Sequence, residues 1–170
     1  MFTIDDLYFS NVPRKLACAQ SIYDKTGITL LDMPGMREKL SHITLLTSHL
    51  QEQMAAMEMF SLCTACGKKK GGGCCSAFMA NETDSVQLLL NLLLGIEVRP
   101  QRDDLLECCY LGSRGCIFRV KPIFCLNYNC HHILKNAEKK IIRDLELCAS
   151  AVLQEQTIVE NLLLKQVVAR

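Results

Sequence analysis

The chain has 170 residues, 49% of them hydrophobic and 22% charged, with a formal charge of +1. That length suits one domain, 1–170, large enough to bury a core without disulfides, and the composition is globular rather than disordered. A nearly neutral chain without Trp also lacks the positive field and stacking aromatics on which nucleic-acid binding draws.

The longest apolar run, residues 86–96, is interrupted by Gln87, Asn91 and Gly95. It falls well short of the ~20 residues that span a bilayer. The opening MFTIDDLYFS carries two acids and no basic–apolar–small progression, so no secretory signal is read there. A cytoplasmic protein without membrane contact is expected. The compartment governs how eleven cysteines are read. An odd count without an export signal argues against a disulfide framework, and in a reducing cytosol dense thiols serve metals or catalysis.

In chain order, a short helix is predicted over about residues 13–25, stopped by Gly27. From Pro34, the residues Met36, Leu40, Ile43, Leu50, Met54 and Met57 recur at spacings of three, four and seven. They form an apolar stripe on a second helix running to about Phe60. A third helix is expected over residues 84–94, capped by Thr83 or Asp84 and closed at Gly95. The last, over about residues 136–168, contains no Gly or Pro, and Ile141, Leu145, Cys148, Val152, Val159 and Leu163 mark its buried face. The fold class is mainly α: a helical bundle carrying two irregular cysteine-rich loops. The stripes on residues 36–60 and 136–168 are expected to pair within the chain.

The first loop, LCTACGKKKGGGCCSAF, contains Cys63-x2-Cys66 followed by Cys74-Cys75. A C-x2-C pair in a tight turn brings two thiolates onto one metal. The glycines permit unusual backbone, and Lys68, Lys69 and Lys70 would favour the thiolate form, although glycine and lysine also make plain linkers. The second segment holds Cys108-Cys109, then Cys116, Cys125 and Cys130 in chain with little helical periodicity. One such cysteine would read as core filler, but so many in two segments point to ligation. The candidate metal ligands are therefore Cys63, Cys66, Cys74, Cys75, Cys108, Cys116, Cys125 and Cys130. Cys18 and Cys148 read as core residues on helices, and Cys109 is left open.

The ordered combination of Cys63-x2-Cys66, Cys74-Cys75, Cys108-x-Tyr110-Leu111, Gly115-Cys116 and Lys121-Pro122-x2-Cys125-x2-Tyr128-x-Cys130 resembles the YkgJ-like cysteine-cluster family. That family is described as a zinc- or iron-chelating CxxCxxCC domain, and a similar cluster in flagellin lysine methylases is associated with an iron–sulfur centre. The resemblance covers residues 63–130 and implies a metal centre. Three features depart from the pattern: GKKKGGG widens the gap before the CC pair, Lys121 stands where the family has arginine, and Leu126 stands where it commonly has a basic residue.

All-thiolate ligation suits zinc and iron–sulfur clusters alike. One clear knuckle with otherwise scattered cysteines is easier to arrange around a cluster several ångströms across than around a single ion. The leading expectation is thus an iron–sulfur cluster, of the 4Fe-4S type, for electron transfer or redox-linked chemistry. The alternative is a structural Zn2+ module for protein–protein interaction, and eight thiols also allow two four-ligand sites. His131 and His132 either support the centre or open the last helix. His42 and His49 read as surface or packing residues. A serine elbow, an HExxH helix and a phosphate loop are all missing, and the CxxC lacks the strand–helix setting of a thioredoxin-like unit. Whether the protein is an enzyme stays open; a protein or redox partner is expected.

Overall fold

The structure is a computed structural model that describes residues 2–67, 73–103, 106–113, 115–126 and 130–168, excepting the side chains of Thr64, Gly67, His131, His132 and Asn136. It is mainly helical, as expected. Helix α1 (Ile4–Tyr8) opens on a capping box: the Asp6 N–H donates to Thr3 Oγ1 at 3.1 Å, and the Thr3 N–H donates to Asp6 at 3.0 Å. Helix α2 (Val12–Leu31) is capped by Asn11, which accepts from the Arg14 N–H at 3.0 Å. It runs straight through Gly27, so the expected stop fails. A Cβ at Gly27 would lie 3.1 Å from the Tyr23 ring, so this glycine gives a partly buried aromatic room inside a continuing helix. The left-handed residue that follows the helix is Gly35, with φ of 75°.

Helix α3 (Met36–Ala56) and helix α9 (Lys139–Val168) lie antiparallel. Lys39 and His42 reach Glu155 at 3.6 and 3.3 Å, and the Gln53 side-chain amide reaches the Ile141 carbonyl at 3.4 Å. Met36, Leu40, Ile43 and Leu50 are buried as the periodicity predicts, and Leu145, Val152, Val159 and Leu163 face them. Thr47 joins the stripe because its hydroxyl is satisfied by the Ile43 carbonyl at 2.9 Å. Four expected positions differ: Ile141 is 37% exposed, and Met54, Met57 and Cys148 are only half-buried.

That end is abrupt. Glu58 takes φ of 53°, breaking the predicted helix before Phe60, and helix α4 (Met59–Gly67) starts in a new direction. The predicted last helix is likewise divided. Helix α8 (His131–Asn136) stops at Ala137, which is extended, and α9 begins at Lys139. Helix α6 (Ser85–Leu93) matches its prediction closely, with Asp84 accepting from the Gln87 N–H at 2.8 Å and Gly95 left-handed at φ of 76°. Every residue of α6 is buried, because α2 and α9 both pack on it.

Among the described residues the buried apolar side chains form two clusters. One gathers α1, α2, α6, the first half of α3 and the last half of α9. The other joins Leu50, Met59, Ile133, Leu145, Ala149 and Val152, so it ties α4 and α8 to the far end of the α3–α9 pair. The cysteine-rich segments border both.

Candidate metal centre

Cys63 and Cys66 lie on α4, not in a tight turn. Met59 is sunk in the second cluster and starts the helix, which then continues through both cysteines. A spacing of three puts the two thiols on one face, one turn apart. Cys130 is the N-terminal cap of α8, in extended backbone, and its thiol makes no capping hydrogen bond. It packs on the second cluster alongside α4.

Cys74 and Cys75 precede helix α5 (Ala77–Asn81). The Cys108 N–H donates to the Cys75 carbonyl at 2.8 Å, Ser76 pairs antiparallel with Glu107, and the Ala77 N–H donates to the Leu106 carbonyl at 3.2 Å. These bonds bind two segments about thirty residues apart into one edge. Strands β1 (Leu111–Gly112) and β2 (Gly115–Cys116) then form a short antiparallel ladder with Leu111 opposite Cys116. Gly115, with φ of 104°, permits the turn. The backbone amides of Tyr110 and Phe118 donate to the sulfurs of Cys108 and Cys116. Such bonds favour a thiolate and orient it for ligation. Cys125 sits in helix α7 (Ile123–Leu126), where its N–H donates to the Pro122 carbonyl at 2.9 Å.

The segment between β2 and α7 is held by α6. The Asn91 side-chain oxygen accepts from the Arg119 and Val120 N–H groups at 2.9 and 3.1 Å. The Asn91 and Gln87 side-chain amides both donate to the Val120 carbonyl, at 2.9 and 2.5 Å. In the sequence these two residues counted only as interruptions of an apolar run. Their signal was present: a buried polar residue needs partners, and a helix with two of them on one face has a backbone to hold.

Electrostatics links the thiols. Burial raises Cys63, and the neighbouring thiolates of Cys74, Cys130 and Cys66 raise it further. Burial takes Cys125 up to about 12, with Cys116, Cys108 and Cys74 adding to it. Cys108 rises to about 11 by burial, then by Cys116 and Cys109. The Cys75 thiol hydrogen-bonds to Cys74, which takes Cys74 down to about 6 and pushes Cys75 up. Lys121 opposes the rise at Cys63, Cys116 and Cys125, and Arg102 opposes it at Cys108. Lys121 Nζ itself lies 3.8 Å from Met54 Sδ and 6.0 Å from the Phe60 ring centre. Arg102 pairs with Glu107 and donates to the Leu111 carbonyl at 3.1 Å.

A set of neighbouring thiols, partly buried or exposed, whose thiolate forms repel one another is chemically suited to a bound cation or cationic cluster, which stabilises the thiolate form. The donor types and their backbone supports fit such a group. As the side chains stand, no three or more His, Cys, Asp or Glu among the described residues are grouped closely enough to hold a metal ion. Cys109 is half-buried against the first cluster, and Cys18 is fully buried in it, as expected of a core residue. His42 and His49 are exposed on α3. The lysines of GKKKGGG, Tyr128 and the side chains of His131 and His132 lie outside the described residues. None of the described helices is long and apolar enough to cross a membrane. Compared with known proteins, the chain matches no family model, no curated protein and no solved structure.

Proposed function

We propose that this is a metal-binding cysteine-cluster protein whose thiols hold an iron–sulfur centre for electron transfer or redox-linked chemistry. The observation that carries the reading is the electrostatic contact among cysteines drawn from α4, the Cys74–Cys75 pair, β2, α7 and the cap of α8. The ligands are to be found among Cys63, Cys66, Cys74, Cys75, Cys108, Cys116, Cys125 and Cys130. A bound cluster would supply one-electron chemistry. The chain's own contribution is to hold thiolates ready: amides of Tyr110 and Phe118 on sulfur, and Lys121 as a positive neighbour. The likeness to YkgJ-like cysteine-cluster proteins, read from the motif order, agrees with this.

The elements carrying the cysteines also present apolar side chains to solvent. Phe78, Leu106, Phe124 and Leu134 are 68%, 78%, 53% and 47% exposed. A redox or protein partner docking over the centre would cover them. Structural zinc is the second reading, favoured by the small ladder around Cys116, since a compact knuckle suffices for one ion.

Protein purified without oxygen and assayed for iron, acid-labile sulfide and zinc decides between these. Stoichiometric iron and sulfide with broad absorbance near ~400 nm is the expected result. Colourless protein retaining zinc would overturn the iron–sulfur reading in favour of the second, and folded metal-free protein with every thiol titratable would remove both.

A further inference from the structure

We infer that the eight thiols form two adjacent four-thiolate sites, Cys63, Cys66, Cys74 and Cys130 making one, and Cys75, Cys108, Cys116 and Cys125 the other. This inference rests on the metal-binding reading above and specifies how the ligands are shared.

The backbone divides them. Three of the first set, Cys63, Cys66 and Cys130, stand on two helices that share the second apolar cluster, and Cys74 on the chain that leads into α5. Cys63 and Cys66 stand one turn apart on α4, and Cys130 heads α8, with Met59 and Ile133 buried together beneath them. The thiol neighbours of Cys63 are Cys74, Cys130 and Cys66. Three of the second set, Cys75, Cys108 and Cys116, stand on non-helical chain, and Cys125 on the short helix α7. Cys75 is joined to Cys108 by the 2.8 Å backbone bond, and the Ile117 N–H donates to the Tyr110 carbonyl at 3.1 Å, closing the ladder that carries Cys116. Cys108 and Cys116 pack against the first apolar cluster, not the second. Cys125 follows the Val120 segment clamped by α6, and it has both Cys116 and Cys108 as neighbours. The sets meet at Cys74, which is bonded to Cys75 and also neighbours Cys125.

Ligand number argues the same way. A zinc ion or a 4Fe-4S cluster takes about four thiolates. A single centre would leave four other thiols crowded and partly buried without a cation. Two centres use all eight, and their shared border at Cys74 and Cys75 keeps them within short reach of each other.

The test compares the intact protein, prepared without oxygen, with two paired variants: Cys63→Ser with Cys66→Ser, and Cys108→Ser with Cys125→Ser. Iron, sulfide and zinc per chain are measured, with far-ultraviolet circular dichroism to verify the fold. Each pair should retain roughly half of the wild-type metal, still sulfur-coordinated by X-ray absorption. If either pair strips all the metal from folded protein, or leaves it undiminished, the division into two sites is wrong while the metal reading stands. Wild-type protein that binds no metal removes that reading, and this inference with it. Should a variant fail to fold, native protein is treated with stepwise chelator and an alkylating agent, and labelled cysteines are mapped by mass spectrometry. Labels arriving in two blocks, divided as above, support two sites. Simultaneous labelling of all eight, or blocks that cut across the sets, overturns them.

Discussion

Asn91 makes four hydrogen bonds from one buried amide: two accepted from Arg119 and Val120, and two donated, to the carbonyls of Val120 and Gln87. It is fully buried in a helix whose other residues are mostly leucine. Replacing it with alanine would strand two backbone amides and weaken the hold on a carbonyl, all away from water. The expected loss for Asn91→Ala is about 2–4 kcal/mol by urea unfolding, since each unsatisfied buried group costs about 1–3 kcal/mol. Because the clamped segment joins Cys116 to Cys125, metal content should fall as well. A variant as stable as wild type would show that the clamp contributes little. The polar character of residues 87 and 91 was legible from the sequence, but their purpose was not. Hydrogen-bond partners some thirty positions away leave no local trace.

At the scale of elements, the decisive residue is Glu58. Its φ of 53° costs a side-chain-bearing residue energy that glycine does not incur. Glu58→Gly is therefore expected to raise stability by about 0.5–1 kcal/mol, seen as a shift in the urea midpoint at constant slope. A decrease would mean that the greater freedom of glycine in the unfolded chain outweighs the relieved strain. The apolar stripe was readable through Met57 because helical periodicity is a local property. The break was not, since glutamate is a good helix former and only packing of Met59 into the second cluster forces the chain to turn. The same packing sets α4, and so places Cys63 and Cys66 on a helix where the spacing alone suggested a turn. At Gly27 the reverse happened. A residue that commonly ends helices sits inside one, at a position where a Cβ would crowd Tyr23.

At the scale of the molecule, α1, α6 and α9 meet around a small group of ionisable side chains. Glu160 on α9 is taken up to about 7 by burial, although the Gln156 amide donates to it at 2.8 Å; Asp84 at the head of α6 adds to the rise. Burial likewise takes Tyr8 on α1 up to about 12, with Asp84 and Glu160 contributing. Lys15 on α2, in the field of Asp84 and Glu82, donates to the Asn81 carbonyl at 2.5 Å. The folded chain binds the Glu160 proton more tightly than the unfolded chain, whose value is near 4.5. The unfolded state therefore carries fewer protons between about 4.5 and 7, and the contribution of Glu160 to stability falls as pH rises through that window. Thermal melts should show the melting temperature of wild type declining across that interval relative to Glu160→Gln. Parallel profiles for the two proteins would remove Glu160 as the cause.

By itself, the sequence determined that the chain is helical, which faces of the long helices are apolar, where α6 begins and ends, and that thiols are concentrated between residues 63 and 130. All of these follow from composition, periodicity and capping, which act within a turn or two. Tertiary structure alone decided that α3 and α9 run antiparallel, that the apolar side chains divide into two clusters, and that α4 breaks away at Glu58. It also decided which cysteines become neighbours, because those contacts depend on backbone bonds such as Cys108 to Cys75 and on the Asn91 clamp, each joining segments about thirty residues apart.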